Sequence, residues 1–516
     1  MIKADRTIQH SIYAAAKSDA TKLAFSLDDK VHMTYGELLS RAESLSSYLV
    51  ARTSDAIDNV AIMLPRSLET PVSLYAVLMS GNAFIPIDPG LPIDRIKWIL
   101  EESNVKILIS DASLAFKLQS LTAVVDYVVG STDTEACEGI SWQDIYELPA
   151  DEASEGRGKS EDVAYIMFTS GTTGTPKGIV HTHSSCLAYA QFSMDLFAIT
   201  NEDSSIIHAP LHFDICTLGY FTLPLAGGHS TIMSDQSTMF PLAALSMLLE
   251  QKPTIWYSVP KALYLLMDTD RFSTRSLPSL RHIIYAGEPA NKKYLQRLVE
   301  FFPKSMITNV YGPTETNQCT SYRIPKGYKA PEEVPIGNTW SGASWRIEDE
   351  NMQESQKGEL LIASDTLMKG YYLNDTLTQK SIVSRKSARG LQNYYKTGDL
   401  VSYNEKDGLL YFHGRNDRQI KINGYRIELD EIQKVLNSHA HVSESVTIVD
   451  KSSETARLVA FYVSDTEQEE KELRRFVALQ VPAYAVPSVF VWRQDLPRTT
   501  RGKLDYTALR GEITFE

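Results

Sequence analysis

The sequence predicts an α/β protein with a large N-terminal domain of helix-flanked, mainly parallel sheets, a small β-rich subdomain, and a small α+β C-terminal domain. Three observations carry this. Before Lys357, apolar runs of strand length alternate with amphipathic runs of helix length, the pattern of parallel strands covered by helices. From about Lys357 the texture changes to short strands and turns. After the charged stretch Gly414-Arg415-Asn416-Asp417-Arg418-Gln419 a fresh set of periodic elements begins, so Asp417 is expected in a linker between domains. The expected boundaries are 1–416 and 417–516, with the β-rich subdomain over about 335–413.

The elements follow in order. A helix is expected from Thr34-Tyr35-Gly36-Glu37-Leu38 to Leu49, then a buried strand over Val60–Leu64. Helices over Pro71–Met79 and Asp94–Glu102 bracket a turn marked by Pro86, Pro89, Gly90 and Pro92, and a strand follows at Val105–Ile109. Leu242–Leu249 reads as helix, and Thr254–Val259 and Leu280–Ala286 as strands. Asn291–Phe302 is a helix with Leu295, Leu298, Val299 and Phe302 on one face. Gly358–Ile362 and Gly408–Phe412 are the strands of the β-rich part. Beyond the linker, Leu429, Ile432, Val435 and Leu436 make a helix face, and Val446–Val449, Leu458–Val463 and Val489–Trp492 make strands.

Composition narrows the function. The 516 residues carry a net charge of −13, which argues against general affinity for nucleic acid or an anionic membrane surface. Neither a signal pattern nor an apolar stretch long enough to span a bilayer is found, so a cytoplasmic protein is expected. The 4 cysteines, Cys137, Cys186, Cys216 and Cys319, have no paired spacing of a metal site or disulfide framework.

One stretch stands out chemically. Thr169-Ser170-Gly171-Thr172-Thr173-Gly174-Thr175-Pro176-Lys177-Gly178 follows the apolar run Val163–Phe168 and is rich in groups that can hold phosphate oxygens. No Gly-Lys-Ser/Thr triplet closes it and Pro176 precedes Lys177, so it is not the Walker loop. A phosphate cradle and a polar surface loop both fit this composition.

Four further stretches bear on the choice: Asn309-Val310-Tyr311-Gly312-Pro313-Thr314-Glu315-Thr316, Tyr395-Lys396-Thr397-Gly398-Asp399-Leu400, Gly414 to Gly424, and Pro497 to Leu504. Taken singly, Glu315 and Asp399 fit helix caps or turns, and Lys503 fits a solvated charge on a loop. His181 and His183 could suggest a metal by their spacing, but nothing else supplies ligands, and packing roles are expected.

In order and spacing the five stretches together resemble the adenylate-forming superfamily of acyl-CoA synthetases, nonribosomal peptide adenylation domains and luciferases, from Thr34 to Lys503. The resemblance implies ATP and Mg²⁺. Thr169, Ser170, Gly171, Thr172, Thr173, Gly174 and Lys177 would hold its phosphates, and Glu315 with Thr169 the metal, a hard cation that prefers such oxygens. Gly287, Glu288, Tyr311, Asp399 and Arg415 would complete the nucleotide site, with Tyr311 beneath adenine and Asp399 on the ribose. Thr314, Glu315 and Lys503 would be catalytic, the Lys503 ammonium stabilising charge on the attacking carboxylate and α-phosphate. The C-terminal domain would swing about a hinge at Asp417, presenting Lys421 and Gly424 for a second half-reaction.

The segment His208 to Ile215 adds a substrate class. Asp214 fits a helix N-cap, but in amino-acid-activating members of the superfamily the matching Asp pairs with the substrate ammonium. Carrying the pocket over by motif gives Asp214, Ile215, Leu218, Tyr257, Ile284, Ala286, Val310, Gln318 and Cys319, with Lys503 completing it. Cys319 is expected to line it as a small hydrophobe. This mostly aliphatic lining suits a small uncharged amino acid and looks like that of stand-alone enzymes that load L-proline onto a carrier protein, with Gln318 departing from the aliphatic residue expected there. D-Alanine or another small amino acid is the alternative. The chain ends soon after Lys503, so the accepting phosphopantetheine thiol is expected on a separate carrier protein. An acyl-CoA ligase and a non-catalytic nucleotide- or amino-acid-binding regulator are the competing readings; Asp214 argues against the first, and the retention of Lys503, Glu315 and Asp399 against the second.

Overall fold

A computed structural model of the chain describes residues 6–28, 30–54, 57–131, 137–149, 157–171, 175–269, 277–450, 456–501 and 503–513. The chain divides into two compact units. The first holds residues 1–89, 100–168 and 178–416; the second holds Gly90–Ile99, Thr169–Lys177 and Asp417–Glu516. The division within the C-terminal third falls between Asn416 and Asp417, while two short segments from earlier in the chain fold with the C-terminal part, which periodicity in sequence cannot reveal.

Within the first unit, the described strands make two large sheets and one smaller one. The first large sheet runs Asn338–Thr339, Thr320–Arg323, Met306–Tyr311, His282–Tyr285, Ile255–Ser258, Ser204–Ile207, His229–Ile232, Leu23–Leu27, Val31–Thr34. Its six central strands, from Met306–Tyr311 to Leu23–Leu27, pair in parallel, and the outer ones are antiparallel. The second large sheet runs Gly370–Tyr371, Lys177–Thr182, Val163–Thr169, Ala83–Pro86, Asn59–Ile62, Ile107–Ile109, Tyr127–Val129, Glu138–Ile140. Helix Glu69–Met79 is apolar around most of its circumference, and Thr70 to Met79 are all buried, as a helix enclosed on every side requires. It packs along helix Tyr35–Val50, whose start is set by a capping box: the Thr34 hydroxyl accepts from the Glu37 amide, and the Glu37 carboxylate accepts from the Thr34 amide at 2.8 Å.

Parallel strands put their carboxyl ends on one edge. In the register Ile207↔Tyr257, Tyr257↔Ile284 and Ile284↔Thr308, the segments that leave strands Ser204–Ile207, Ile255–Ser258, His282–Tyr285 and Met306–Tyr311 emerge side by side. Ile255, Tyr257, Ile284 and Val310 pack on one face of this sheet. The alternate residues Trp256, Ile283, Tyr285 and Ile307 pack on the other, against Leu295, Leu298 and Val299 of helix Lys292–Phe301. The Asn291 side chain caps that helix by accepting from the Lys293 and Tyr294 amides.

The smaller sheet is antiparallel, in the order Ala343–Glu348, Lys357–Ser364, Gly390–Asn404, Ile382–Ser387, with Leu409–Arg415 also paired to Gly390–Asn404. It is the β-rich part read from the sequence.

In the second unit, Gln419–Ile422 and Tyr425–Glu428 form a hairpin. Its two-residue turn, Asn423-Gly424, has positive φ at both positions (52° and 82°), a conformation that the Asn-Gly pair adopts at little cost. Strands Glu444–Asp450, Arg457–Val463 and Val489–Arg493 make a three-stranded sheet covered by helices Leu429–Asn437 and Glu470–Ala478, the expected α+β arrangement. Arg95 and Glu431 form a buried ion pair at 2.7 Å inside this unit; burial pushes the Glu431 carboxyl up and the guanidinium pulls it back. Among the described residues, no helix is long and apolar enough to cross a membrane.

Candidate active site

Asp399 lies buried in strand Gly390–Asn404, where its carboxylate accepts from Arg415 Nη1 at 2.6 Å and, through a short hydrogen bond, from the Tyr311 hydroxyl. Its amide is fixed by the Thr397 hydroxyl at 3.0 Å. The register Asp399↔Arg415 across the sheet brings two of the expected nucleotide residues together, and Tyr311, at the end of its parallel strand, supplies the third. Gly398 has φ +73°, a conformation that favours glycine, and a Cβ there would meet Arg415 Nη2 at 2.6 Å and so displace the guanidinium that pairs with Asp399. The Tyr311 ring packs on Cys319, Ile336, Ile347 and Leu360. Asp399 is therefore neither a cap nor a plain turn residue.

Glu315 is fully buried, and Oε1 accepts from the Tyr371 hydroxyl at 2.8 Å; that hydroxyl also meets the Tyr395 hydroxyl at 3.3 Å. The backbone around it is pinned carbonyl by carbonyl. Thr314 O takes His181 Nε2 at 2.9 Å, Glu315 O takes the Met368 amide at 2.8 Å, and Thr316 O takes the Thr366 hydroxyl at 2.5 Å. A buried carboxylate costs several kcal/mol unless it meets donors or a cation, and this one is oriented by a phenol on a rigid scaffold. A hard divalent cation fits such a carboxylate. Among the described residues no group of three or more His, Cys, Asp or Glu could hold a metal unaided, so phosphate oxygens or water would have to complete its shell. His183 is buried without metal partners, and burial holds both His181 and His183 down to about 4, so both rings are neutral.

Gly287 (φ +95°) and Glu288 follow strand His282–Tyr285 after Ala286 and leave from the same sheet edge as Tyr311, Gly312 and Pro313. Gly312 is sterically obligatory: a Cβ there would sit 1.6 Å from the Asn317 carbonyl oxygen.

The expected phosphate loop falls in the second unit. Thr169 ends strand Val163–Thr169, and its hydroxyl is buried without a hydrogen-bond partner among the described residues, an orphan that fits a phosphate or metal ligand. Ser170 Oγ donates to the Arg426 carbonyl at 3.1 Å, and Gly171 is buried beside it. Thr172, Thr173 and Gly174 lie outside the described residues. Lys177 was expected inside the loop but is the first residue of strand Lys177–Thr182, because Gly178 to Thr182 is a buried, β-branched-rich run that carries the strand back to the lysine. Lys177 and Arg426 both pull down the Glu428 carboxyl, which burial raises.

Lys503 is exposed in the turn of a small hairpin closed by an Arg498–Leu504 bridge, with the Thr499 amide donating to the Lys503 carbonyl at 2.7 Å. Asp417 is exposed, and its Oδ1 accepts from the Gln419 amide at 3.1 Å. Lys421 is exposed on the hairpin whose turn holds Gly424.

Asp214 opens a short 3-10 turn, Asp214–Cys216, whose cap position is Phe213 with no side-chain capping bond, so Asp214 is not a helix N-cap. Its charge is felt by three phenols, Tyr165, Tyr189 and Tyr257, each pushed up chiefly by burial and further by Asp214. Ile215, Leu218, Tyr257, Ile284, Ala286 and Val310 all belong to the apolar cluster on this face of the sheet. Cys319 does not: its side chain packs with Ile336, Ile347, Leu360, Ile362, Val401 and Leu410 on the β-rich side, and its amide donates to the Tyr311 carbonyl at 2.9 Å. Asn317, two residues before, has φ +50°. Gln318 is buried with both side-chain polar atoms lacking a hydrogen-bond partner among the described residues.

Tyr371, Tyr395 and Tyr189 enter the site without having been singled out by chemistry in sequence. Tyr371 arrives because Gly370–Tyr371 pairs antiparallel with strand Lys177–Thr182, and nothing local in sequence signals a two-residue strand.

Comparison with known proteins shows the family. The model of the AMP-binding enzyme family matches residues 12–372, and that of the AMP-binding enzyme C-terminal domain matches residues 431–503. The chain is 31% identical over 503 residues to an L-proline--[L-prolyl-carrier protein] ligase of Streptomyces coelicolor, covering 92% of this chain and 91% of that protein. It is 31% identical to tyrocidine synthase 1 of Brevibacillus parabrevis, covering 92% of this chain but 42% of that protein, and it spans 8% of tyrocidine synthase 3 of the same organism. Among solved structures, the Vibrio cholerae adenylation domain AlmE, in complex with glycyl-adenosine-5'-phosphate, superposes with a TM-score of 0.85 at 24% identity, covering 99% of this chain and 98% of that one. PA1221, described as a nonribosomal peptide synthetase protein with adenylation and PCP domains, superposes at 0.82 with 25% identity, covering 98% and 84%. The chain belongs to the AMP-binding enzyme family and is an AMP-forming ligase.

Proposed function

We propose that this protein activates a small apolar amino acid, L-proline in the first instance, and transfers it to the phosphopantetheine thiol of a separate carrier protein. The observation that carries the amino acid is Asp214, a carboxylate whose charge acts on the buried phenols of Tyr165, Tyr189 and Tyr257 and whose neighbour Ile215 belongs to an aliphatic cluster, which suits an ammonium or secondary amine with a small apolar body. A ligase for L-proline at 31% identity over most of both chains supports the same substrate.

In the first step a carboxylate oxygen of the amino acid attacks the α-phosphorus of ATP, forming an acyl-adenylate and releasing pyrophosphate. In the second, the carrier thiolate attacks the acyl carbon, the thioester forms, and AMP leaves. Asp399 and Arg415 hold the ribose in this reading, Tyr311 meets the adenine, and Gly287 and Glu288 border the nucleotide. Thr169, Ser170, Gly171 and Lys177 receive the phosphates, and Glu315 with Thr169 receives Mg²⁺. When bound, Mg²⁺ neutralises charge on the phosphates. Thr314 and Lys503 serve the first step, Lys503 by electrostatic stabilisation. Asp417 is the hinge, and Lys421 and Gly424 serve the second step.

The test is pyrophosphate exchange into ATP across the common L-amino acids, D-alanine and plain carboxylic acids. Exchange driven by L-proline supports the reading. Exchange with another small amino acid, D-alanine included, replaces the substrate and keeps the role of Asp214, and exchange confined to acids without an amine overturns that role.

A further inference from the structure

His181 is set apart from the other buried histidines by what its ring touches. It lies on strand Lys177–Thr182 and is buried, with Tyr165 packed against it at 5.0 Å between ring centroids. Nε2 meets the Thr314 carbonyl at 2.9 Å and Nδ1 meets the Ser185 hydroxyl at 3.1 Å. A carbonyl only accepts, so Nε2 carries the hydrogen; Nδ1 is then a bare acceptor facing the Ser185 hydroxyl, whose single hydrogen is shared with the Thr182 carbonyl at 3.0 Å. Both nitrogens of a neutral ring are thus committed, one of them to the peptide that precedes Glu315.

We propose that His181 is a positioning residue for the metal and nucleotide site: its Nε2–H fixes the Thr314 carbonyl and thereby aims the Glu315 carboxylate. This rests on the reading of Glu315 as the metal-holding carboxylate. Three successive carbonyls, those of Thr314, Glu315 and Thr316, each take a donor from a different residue, and the other two donors, Met368 and Thr366, come from one segment. His181 is the third hold, on the strand that also pairs with Tyr371, the donor to Glu315 itself. The Asn317 amide reaches the Thr314 carbonyl only at 3.5 Å, a poor substitute. Without His181 that half-buried carbonyl keeps only the long contact to the Asn317 amide, and the peptide is free to rotate toward other donors.

Two substitutions separate the hydrogen bond from ring packing. In His181→Gln the amide nitrogen takes the place of Nε2 and keeps the donor to Thr314. In His181→Asn the shorter amide reaches the Nδ1 position and keeps only the Ser185 contact. Binding of Mn²⁺ in the presence of ATP, read by the electron paramagnetic resonance signal of the free ion, is measured with the Mg²⁺ dependence of pyrophosphate exchange and the thermal midpoint. His181→Asn is expected to weaken Mn²⁺ binding by about 10-fold or more, and His181→Gln to stay within about threefold of wild type, as for residues that orient a metal ligand. The Mg²⁺ needed for half-maximal exchange should move in parallel. Equal impairment of the two variants, or wild-type metal dependence in His181→Asn, overturns the proposal. Wild-type protein that binds Mn²⁺ with ATP and shows the Gln/Asn contrast, yet exchanges pyrophosphate with no amino acid, would leave the role of His181 standing and remove the proposed function instead.

Discussion

The Tyr371 hydroxyl donates to Glu315 Oε1 at 2.8 Å, joining a two-residue edge strand to a fully buried carboxylate. A hydrogen bond to a charged group contributes about 1.5–3 kcal/mol, more when the acceptor cannot reach water. Tyr371→Phe keeps the ring in its cluster with Ile179, Met368 and Tyr395 and removes the donor to Glu315 together with the longer hydroxyl contact to Tyr395. The variant should lose about 1.5–3 kcal/mol of unfolding free energy in metal-free denaturant titrations. Saturating Mg²⁺ and ATP should narrow that difference, because a cation on Glu315 replaces the missing hydrogen bond. A loss unchanged by Mg²⁺ and ATP would count against Glu315 as a metal ligand.

Lys503 contributes little to the fold, being exposed in a hairpin turn. Lys503→Ala should leave the thermal midpoint and ATP binding within error while pyrophosphate exchange falls by about two to three orders of magnitude. Parallel losses in ATP affinity and exchange would show that the lysine binds nucleotide uniformly rather than acting on the first chemical step.

Much of the fold was legible because period and punctuation agree along this chain. Helix Lys292–Phe301 shows its apolar stripe and its Asn291 cap in sequence, and the Asn423-Gly424 turn announces its hairpin. Within the site, the partnership of Tyr311, Asp399 and Arg415 could be reached only through motif order, since residues so far apart meet by sheet register. The packing of Cys319 with the β-rich cluster was not legible, because a motif position does not say which apolar cluster its side chain joins. Tyr371 was missed for a similar reason, because a strand of two residues has no period to read.

Asp417 is exposed, and its carboxylate accepts from the Gln419 amide two residues on, a local bond that shapes the start of the hairpin Gln419–Ile422 and Tyr425–Glu428. Asp417→Pro fixes φ near −65° and removes that acceptor. If the second half-reaction needs a rotation here, transfer to the carrier thiol should fall at least tenfold more than pyrophosphate exchange, measured on the same preparation. Equal loss in both assays would place the hinge elsewhere.

His282 is buried on strand His282–Tyr285, with neither ring nitrogen in a well-formed hydrogen bond. Phe197 meets it edge-on at 5.5 Å between ring centroids, and the Arg281–Asp203 ion pair lies beside it. Burial, helped by Arg281, lowers it from 6.5 to about 4. Between those two values the unfolded chain binds the proton more readily than the folded one. Its neutral form therefore favours the fold above pH 6.5, and stability is lost as pH falls from there toward 4. The contribution is about 1–3 kcal/mol at the acid end. His282→Leu should flatten the fall in unfolding free energy between pH 7 and 4.5 relative to wild type and cost little at pH 7.5. An unchanged slope would assign the acid sensitivity to the other buried histidines.

Asp214 decides between amino acids and plain acids. It is half-buried beside Ile215 and Cys216, and its charge acts on the buried phenols of Tyr165, Tyr189 and Tyr257, a low-dielectric setting in which an ammonium is attracted strongly. Asp214→Asn keeps the shape and removes the charge. In the free protein this substitution should change stability little, since the side chain is half-buried and the shape is kept. With amino acid present, the KM for the preferred substrate should rise by about 100-fold, the 2–3 kcal/mol of a lost charged hydrogen bond, while the KM for ATP stays put. The same variant should gain activity toward a carboxylic acid that matches the substrate's apolar body and lacks its nitrogen. A variant destabilised in the free state, with an unchanged preference for the amine, would mean that Asp214 serves the fold and that the ammonium is recognised by another group.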